Sequence, residues 1–177
     1  MRAVRLFALC GSLRRASVNR AALEALVLLA SEGVEIEIWD ELAALPAFNP
    51  DDEEPGSSLP APVAALRRKT EACDGLIVAA PEYAHGISGA LKNALDWLVG
   101  SEAFAGKPTM LINVAPRAFH AQAQLREILA TMSARVVPEA CMTLPLGSRS
   151  AGATAIAADE RVAAKLREGL QGLLATL

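Results

Sequence analysis

The chain has 177 residues, 53% of them apolar but only 4% aromatic, and a net charge of −3. That length suits one α/β domain built on Leu, Ala, Val and Ile. The mildly acidic balance leaves no basic footprint for a phosphate backbone, which excludes nucleic acid as a main partner. Cys10, Cys73 and Cys141 are isolated, with no C-x-x-C spacing, so neither a disulfide framework nor a metal site is expected.

Residues 1–10 place Arg5 inside a short apolar stretch and run into Arg14-Arg15, unlike a signal peptide. No apolar run approaches the ~20 residues that span a bilayer. A cytoplasmic protein without a membrane partner is expected.

Taken in chain order, the run Val4–Leu9 predicts a first strand. Leu23, Leu26, Val27 and Ala30 then form a helical stripe, which predicts a helix over Ser17–Ser31 with Ser17 as N-cap. A strand at Val34–Trp39 follows. Asn49–Pro62 carries Asp51, Asp52, Glu53 and Glu54 among four prolines and reads as an exposed connection, either a solvated loop or a flap over a site. Beyond it come a helix at Pro62–Ala72, a strand at Gly75–Ala80 and a helix at Ser88–Val99 with the stripe Leu91, Ala94, Leu95 and Leu98. Thr109–Val114 reads as a strand, His120–Met132 as a helix, Arg135–Pro138 as a weaker strand and Ala157–Leu174 as the last helix. Such alternation predicts a doubly wound, five-stranded parallel sheet covered on both faces. Ligands bind such sheets at the carboxyl ends of the strands. Residues 10–20, 81–88 and 115–120 meet there, and they hold both histidines, His85 and His120.

The first loop reads Gly-Ser-Leu-Arg-Arg-Ala-Ser-Val-Asn-Arg over residues 11–20. It leaves a strand and enters a helix, whose unpaired N–H groups and dipole favour an anion such as phosphate. Ser12, Ser17 and Asn19 offer neutral donors, and Arg14, Arg15 and Arg20 offer cations. Arg20 in the first helical turn is unfavourable against the dipole, a sign that a bound dianion would reverse. The loop equally fits a capped helix with solvated arginines. No G-x-x-x-x-G-K-[ST] or G-x-G-x-x-G occurs, so triphosphate and dinucleotide loops are excluded. A phosphatase built on Cys10 would need Arg six residues on, where Ala16 stands. Cys10 reads instead as a small buried residue.

The second loop reads Pro81-Glu82-Tyr83-Ala84-His85-Gly86, then Gly89-Ala90-Leu91-Lys92-Asn93-Ala94-Leu95-Asp96-Trp97. Tyr83, the sole tyrosine, stands where an aromatic ring can either stack on a flat heterocycle or close the edge of the core.

Ser-Leu-Arg…Ser-x-Asn-Arg followed by Pro-Glu-Tyr…Gly-x-Leu-Lys-Asn-Ala-hydrophobic-Asp-Trp closely resembles the NADPH-dependent FMN reductase family, flavodoxin-like quinone, azo-dye and chromate reductases among them. The likeness extends through Gly106-Lys107-Pro108 and Gln124-Leu125-Arg126. It implies a flavodoxin-like three-layer sandwich with strand order 2-1-3-4-5, with residues 1–177 forming one FMN-binding domain. It places Ser12, Arg14, Ser17, Asn19 and Arg20 around the FMN phosphate, and Pro81, Glu82, Tyr83 and Ala84 along the isoalloxazine. Ala115 and Arg117 of the third loop would also contact the flavin. Homodimers or homotetramers are implied, with Trp97 and Leu98 on a helix that resembles the family's subunit interface.

Three departures from the family pattern stand out. Ala84 replaces the usual Asn, and Ser88 replaces the usual Pro. Ala115-Pro116-Arg117-Ala118-Phe119-His120 replaces a glycine-containing third loop, adding bulk and removing a donor. The implied activity is ping-pong transfer from NADPH or NADH through FMN to a quinone, azo compound, metal ion or flavin, the cofactor carrying the hard chemistry. No side chain is an obligatory catalyst, although His85 or His120 could protonate a reduced quinone. The altered third loop keeps open an FMN-binding electron carrier or regulatory module without efficient NAD(P)H turnover, or a scaffold that has lost flavin.

Overall fold

The computed structural model describes residues 2–54, 56–146 and 152–177. In chain order the strands are β1 (Val4–Cys10), β2 (Val34–Ile38), β3 (Gly75–Ala79), β4 (Glu82–Tyr83), β5 (Gly86–Ile87), β6 (Pro108–Asn113), β7 (Arg135–Val136) and β8 (Met142–Thr143). The helices are α1 (Val18–Leu29), α2 (Ala61–Ala72), α3 (Gly89–Val99), α4 (Phe119–Thr131), α5 (Ala153–Ala158) and α6 (Glu160–Leu174).

The main sheet is parallel, in the order β2-β1-β3-β6-β7, with β8 also pairing β6. This is the expected 2-1-3-4-5 arrangement, and the fold is flavodoxin-like. Its fifth position is filled by two short pieces, because Pro138 starts a 3-10 turn over Pro138–Ala140 between β7 and β8. Proline has no N–H for a ladder, so pairing stops there. The hairpin β4–β5 stands apart from the sheet.

Side chains of a strand alternate between faces, and here both faces are covered. Phe7, Leu9, Leu76, Val78 and Leu111 pack with Val63, Leu66, Leu91, Leu95 and Leu125 of α2, α3 and α4. Leu6, Ala8, Ile77, Ala79, Met110 and Ile112 pack on the opposite face with Leu23, Leu26, Leu166 and Leu170 of α1 and α6. Two buried layers on one sheet give the three-layer sandwich.

The last helix breaks where periodicity alone predicts continuity. Asp159 ends α5, and its carboxylate accepts from Arg161 and Val162 N–H to start α6. The acidic, proline-rich connection is also less free than its composition implies. Glu53 pairs with Arg67, whose guanidinium donates to the Trp97 carbonyl oxygen. Upstream of that connection, Pro46 O accepts from both Asn93 Nδ2 at 2.8 Å and Trp97 Nε1 at 2.9 Å. Phe48 meets the Trp97 ring edge-on. Trp97 and Leu98 are fully buried within the protomer. Trp97, with Asn93, holds the segment before the acidic connection onto α3.

Helix α6 lies directly on the backbone of the 3-10 turn. A Cβ at Gly172 would stand 2.9 Å from Glu139 O and 3.0 Å from Glu139 C. Gly→Ala inside a helix ordinarily gains up to about 1 kcal/mol, but here the contact atoms are backbone and cannot swing aside. We expect Gly172→Ala to destabilise the fold by about 1–3 kcal/mol, read as a lower midpoint in urea unfolding; a raised midpoint would contradict the packing.

Candidate functional site

Three connections close over the carboxyl ends of β1, β3 and β6. The first leaves β1 through Gly11, whose N–H donates to Ala79 O at 2.8 Å. A Cβ at Gly11 would meet Leu91 Cδ2 at 3.1 Å and Pro81 Cδ at 3.2 Å, so the absent side chain lets this loop approach the next one. Ser88 Oγ donates to Gly11 O and accepts from Leu91 N, capping α3. The Ser88 departure therefore joins the first loop to the second.

Ser17 caps α1, its Oγ accepting from Arg20 N at 3.2 Å. The first turn of α1 holds no acid, and among the described residues Val18 and Asn19 N–H find no acceptor. The helix start is thus a cluster of donors at the positive end of a dipole. Ser17 and Asn19 are buried, and Asn19 Oδ1 has no partner. A buried acceptor left unpaired is unfavourable unless a ligand or water donor reaches it.

The second connection is the hairpin β4–β5. Its tip residues Ala84 and His85 have φ of +48° and +60°, the left-handed pair that a two-residue hairpin requires. Glu82 turns inward, and its Oε2 accepts from Ala121 N at 2.8 Å. That bond caps α4, whose own N-cap Ala118 makes no side-chain bond. Gln124 Oε1 in turn accepts from Ile87 N at 2.8 Å. The hairpin is therefore clamped to α4 at both ends.

The third connection starts at buried Asn113, whose Oδ1 accepts from Ala115 N at 3.0 Å, and Ala118 N donates to Ala115 O. Together the three connections enclose a cavity of about 380 Å³. One end is lined by Ser12, Arg14, Ser17 and Asn19, and the rest by Ala80–Tyr83 and Val114–Ala118.

Ser12, Arg14, Ser17, Asn19, Pro81, Glu82, Tyr83, Ala115 and Arg117 all line this cavity. Arg20 and Ala84 do not. The Arg20 guanidinium is bonded to Glu24 at 2.8 Å and to Asp40 just beyond β2. The bond to Asp40 chiefly raises its pKa, against the opposing pull of burial. Its unfavourable place in the first helical turn is thus answered by two carboxylates. Ala84 sits at the hairpin tip, so what the missing Asn removes is a residue suited to the left-handed turn. Phe119 is absent from the lining and its ring lies 4.1 Å from that of His120, so it does not crowd the cavity. His120 stacks on His85 with centroids 4.2 Å apart. Both imidazoles lie outside the cavity wall, and nothing in this geometry makes either a proton donor to a ligand inside it.

Cys10 is buried, and its Sγ donates to Ser12 O. Burial pushes the thiol pKa up despite that bond and the nearby Arg20 charge, so little thiolate forms. A phosphatase nucleophile has the opposite character. Sequence reasoning missed the cap that Glu82 gives α4 and the clamp from Gln124, because both join side chains to backbone far along the chain.

The cavity lies at the switch point of a flavodoxin-like sheet, with hydroxyl, amide and guanidinium groups along one stretch of its wall and mostly apolar residues along the rest. Residues 4–148 match the family described as NADPH-dependent FMN reductase, and the chain belongs to that family of flavin-dependent oxidoreductases. It is 34% identical over 131 residues, 71% of this chain and 69% of the relative, to an NAD(P)H-dependent FMN reductase of Pseudomonas aeruginosa. It is 31% identical over 134 residues, 73% of this chain and 71% of the relative, to a quinone reductase of Escherichia coli. Among solved structures it resembles the flavoenzyme NAD(P)H:(acceptor) oxidoreductase FerB of Paracoccus denitrificans, with a TM-score of 0.77 and 27% identity over 97% of this chain and 96% of that one. FMN fits the cavity: its phosphate matches the donor-rich end, and its ribityl hydroxyls could satisfy Asn19 Oδ1.

The hairpin gives a direct check on the local geometry. Alanine in the left-handed region costs roughly 1 kcal/mol relative to residues that tolerate it, and asparagine is favoured at the first tip position. We expect Ala84→Asn to raise stability by about 0.5–1 kcal/mol, seen as a higher thermal midpoint. An unchanged or lower midpoint would contradict the left-handed tip.

Proposed function

We propose that the chain is an NAD(P)H-dependent oxidoreductase that passes electrons through one FMN to a quinone-type acceptor, in two half-reactions sharing one open slot. The observation that carries the reading is the cavity itself, with a helix N-terminus and Arg14 at one end and Tyr83 and the third loop at the other. Bound FMN supplies hydride acceptance from the nicotinamide and release to the acceptor.

The protein's own part is positioning and electrostatics. Ser12, Arg14, Ser17 and the first N–H groups of α1 hold a phosphate by charge-assisted hydrogen bonds, each contributing roughly 1.5–3 kcal/mol. Pro81, Glu82 and Tyr83 border the slot where a flat ring system would lie, and the clamp through Glu82 and Gln124 keeps that border rigid. Pro116 and Arg117 face the same slot, where Arg117 offers a positive charge to an anionic acceptor or to a developing hydroquinone oxyanion. Quinones are the acceptor class favoured by the likeness to a quinone reductase. Azo compounds, metal ions and free flavin also fit an open slot. Among the described residues no helix is long and apolar enough to cross a membrane. We extend the reading to one FMN-binding domain acting in the cytoplasm as a homodimer or homotetramer.

The test is an FMN titration of purified protein followed by anaerobic addition of NADPH or NADH. Saturable binding and rapid bleaching of the flavin absorbance are expected. Reoxidation by benzoquinone should then follow at a rate that does not depend on which donor was used, as a ping-pong sequence requires. Binding without bleaching would replace the reductase by an electron carrier. Failure to bind FMN would overturn the reading.

A further inference from the structure

A second cavity of about 370 Å³ lies on the other side of the first loop, towards β2. It shares Ser12 and Arg14 with the flavin cavity and adds Arg15, Arg20, Trp39 and Asp40. Glu24 and Asp40 are both engaged with Arg20. Arg14 and Arg15 have no carboxylate partner among the described residues. Glu24 and Asp40 line the same concave wall but both pair with Arg20, and Arg14 and Arg15 then leave it with a net positive charge that favours an anion.

A second observation points the same way. Trp39 is buried, and its indole Nε1 has no acceptor. Indole nitrogen can only donate, and a buried donor without a partner is uncommon in a folded protein. The wall thus carries arginine forks suited to a phosphate monoester, and Trp39, which borders it, keeps a buried donor unmatched.

Resting on the flavin reading, we propose that this second cavity takes the phosphate monoester on the adenosine ribose of NADPH, with Arg15 as the residue that distinguishes NADPH from NADH. The two cavities adjoin through Ser12 and Arg14, so a dinucleotide lying across the loop can place its nicotinamide in the flavin slot and its 2′-phosphate against Arg15. Ser12 and Arg14 border both cavities, whereas Arg15 borders only the second, so Arg15 is the group that serves the 2′-phosphate alone.

The experiment uses FMN-saturated protein, in which the first phosphate seat is filled. Adenosine 2′,5′-bisphosphate and adenosine 5′-monophosphate are titrated by calorimetry into wild type and Arg15→Ala, with inorganic phosphate as a third ligand. We expect the bisphosphate to bind wild type at least about tenfold more tightly than the monophosphate, the worth of a charge-assisted pair. That preference should vanish in Arg15→Ala, whose FMN affinity stays within about twofold of wild type because Arg15 is outside the flavin wall. Arg15→Lys should keep part of the preference, since charge survives while the planar fork is lost. Equal binding of the two nucleotides to wild type would overturn the proposal. So would a preference that persists in Arg15→Ala. Inorganic phosphate binding as tightly as the bisphosphate would assign the cavity to free phosphate and overturn the donor assignment. If wild type does not take up FMN, the flavin reading fails on that titration alone. The nucleotide comparison on the flavin-free protein then still decides whether the cavity recognises a 2′-phosphate.

Discussion

The start of α1 at the carboxyl end of β1 is the constraint on which the site depends. A parallel strand delivers the chain to the sheet edge, Gly11 turns it past Leu91 and Pro81, and Ser17 caps the helix that returns. The unpaired N–H groups and helix dipole then face the same opening as Arg14. Placing an anion there satisfies donors that folding alone leaves unmatched. The remaining parts of the site, the hairpin and the third loop, complete a slot whose polar end is already set.

How the loops are fastened explains why the departures from the family pattern are tolerated. Ser88 replaces a proline but links α3 to the backbone of Gly11. Pro116 removes one N–H, yet Asn113 and Ala115 still form the turn before α4. Glu82 supplies the cap that Ala118 cannot. Each connection is therefore bound to a neighbour by at least one hydrogen bond from a side chain, an arrangement that limits the ordering needed when a ligand enters.

Much of the fold was legible in the sequence because its cause is local. Strands buried on both faces are short apolar runs, and α1 and α3 announce themselves through Leu23, Leu26, Leu91 and Leu95. That Ser12, Arg14, Ser17, Asn19 and Pro81–Tyr83 come together was legible from their place at strand ends and from the family resemblance, and they line one cavity. What was not legible depends on partners distant in sequence. Arg20 looked unanswered because Asp40 lies beyond the next strand. The bond that seats Trp97 was hidden because its acceptor, Pro46 O, belongs to a loop 51 residues away. The break at Asp159 was hidden because apolar residues continue on both sides of it.

The account stands on the phosphate seat, and the ratio of the dissociation constants for FMN and riboflavin measures it most directly. The two ligands share the ring and the ribityl chain and differ in the phosphate alone. Three or more charge-assisted bonds at α1 predict that FMN binds at least about a hundredfold more tightly, with the advantage shrinking as salt screens the arginine. Equal affinities would mean that the first loop holds no phosphate and that the ring carries recognition, which would contradict the account.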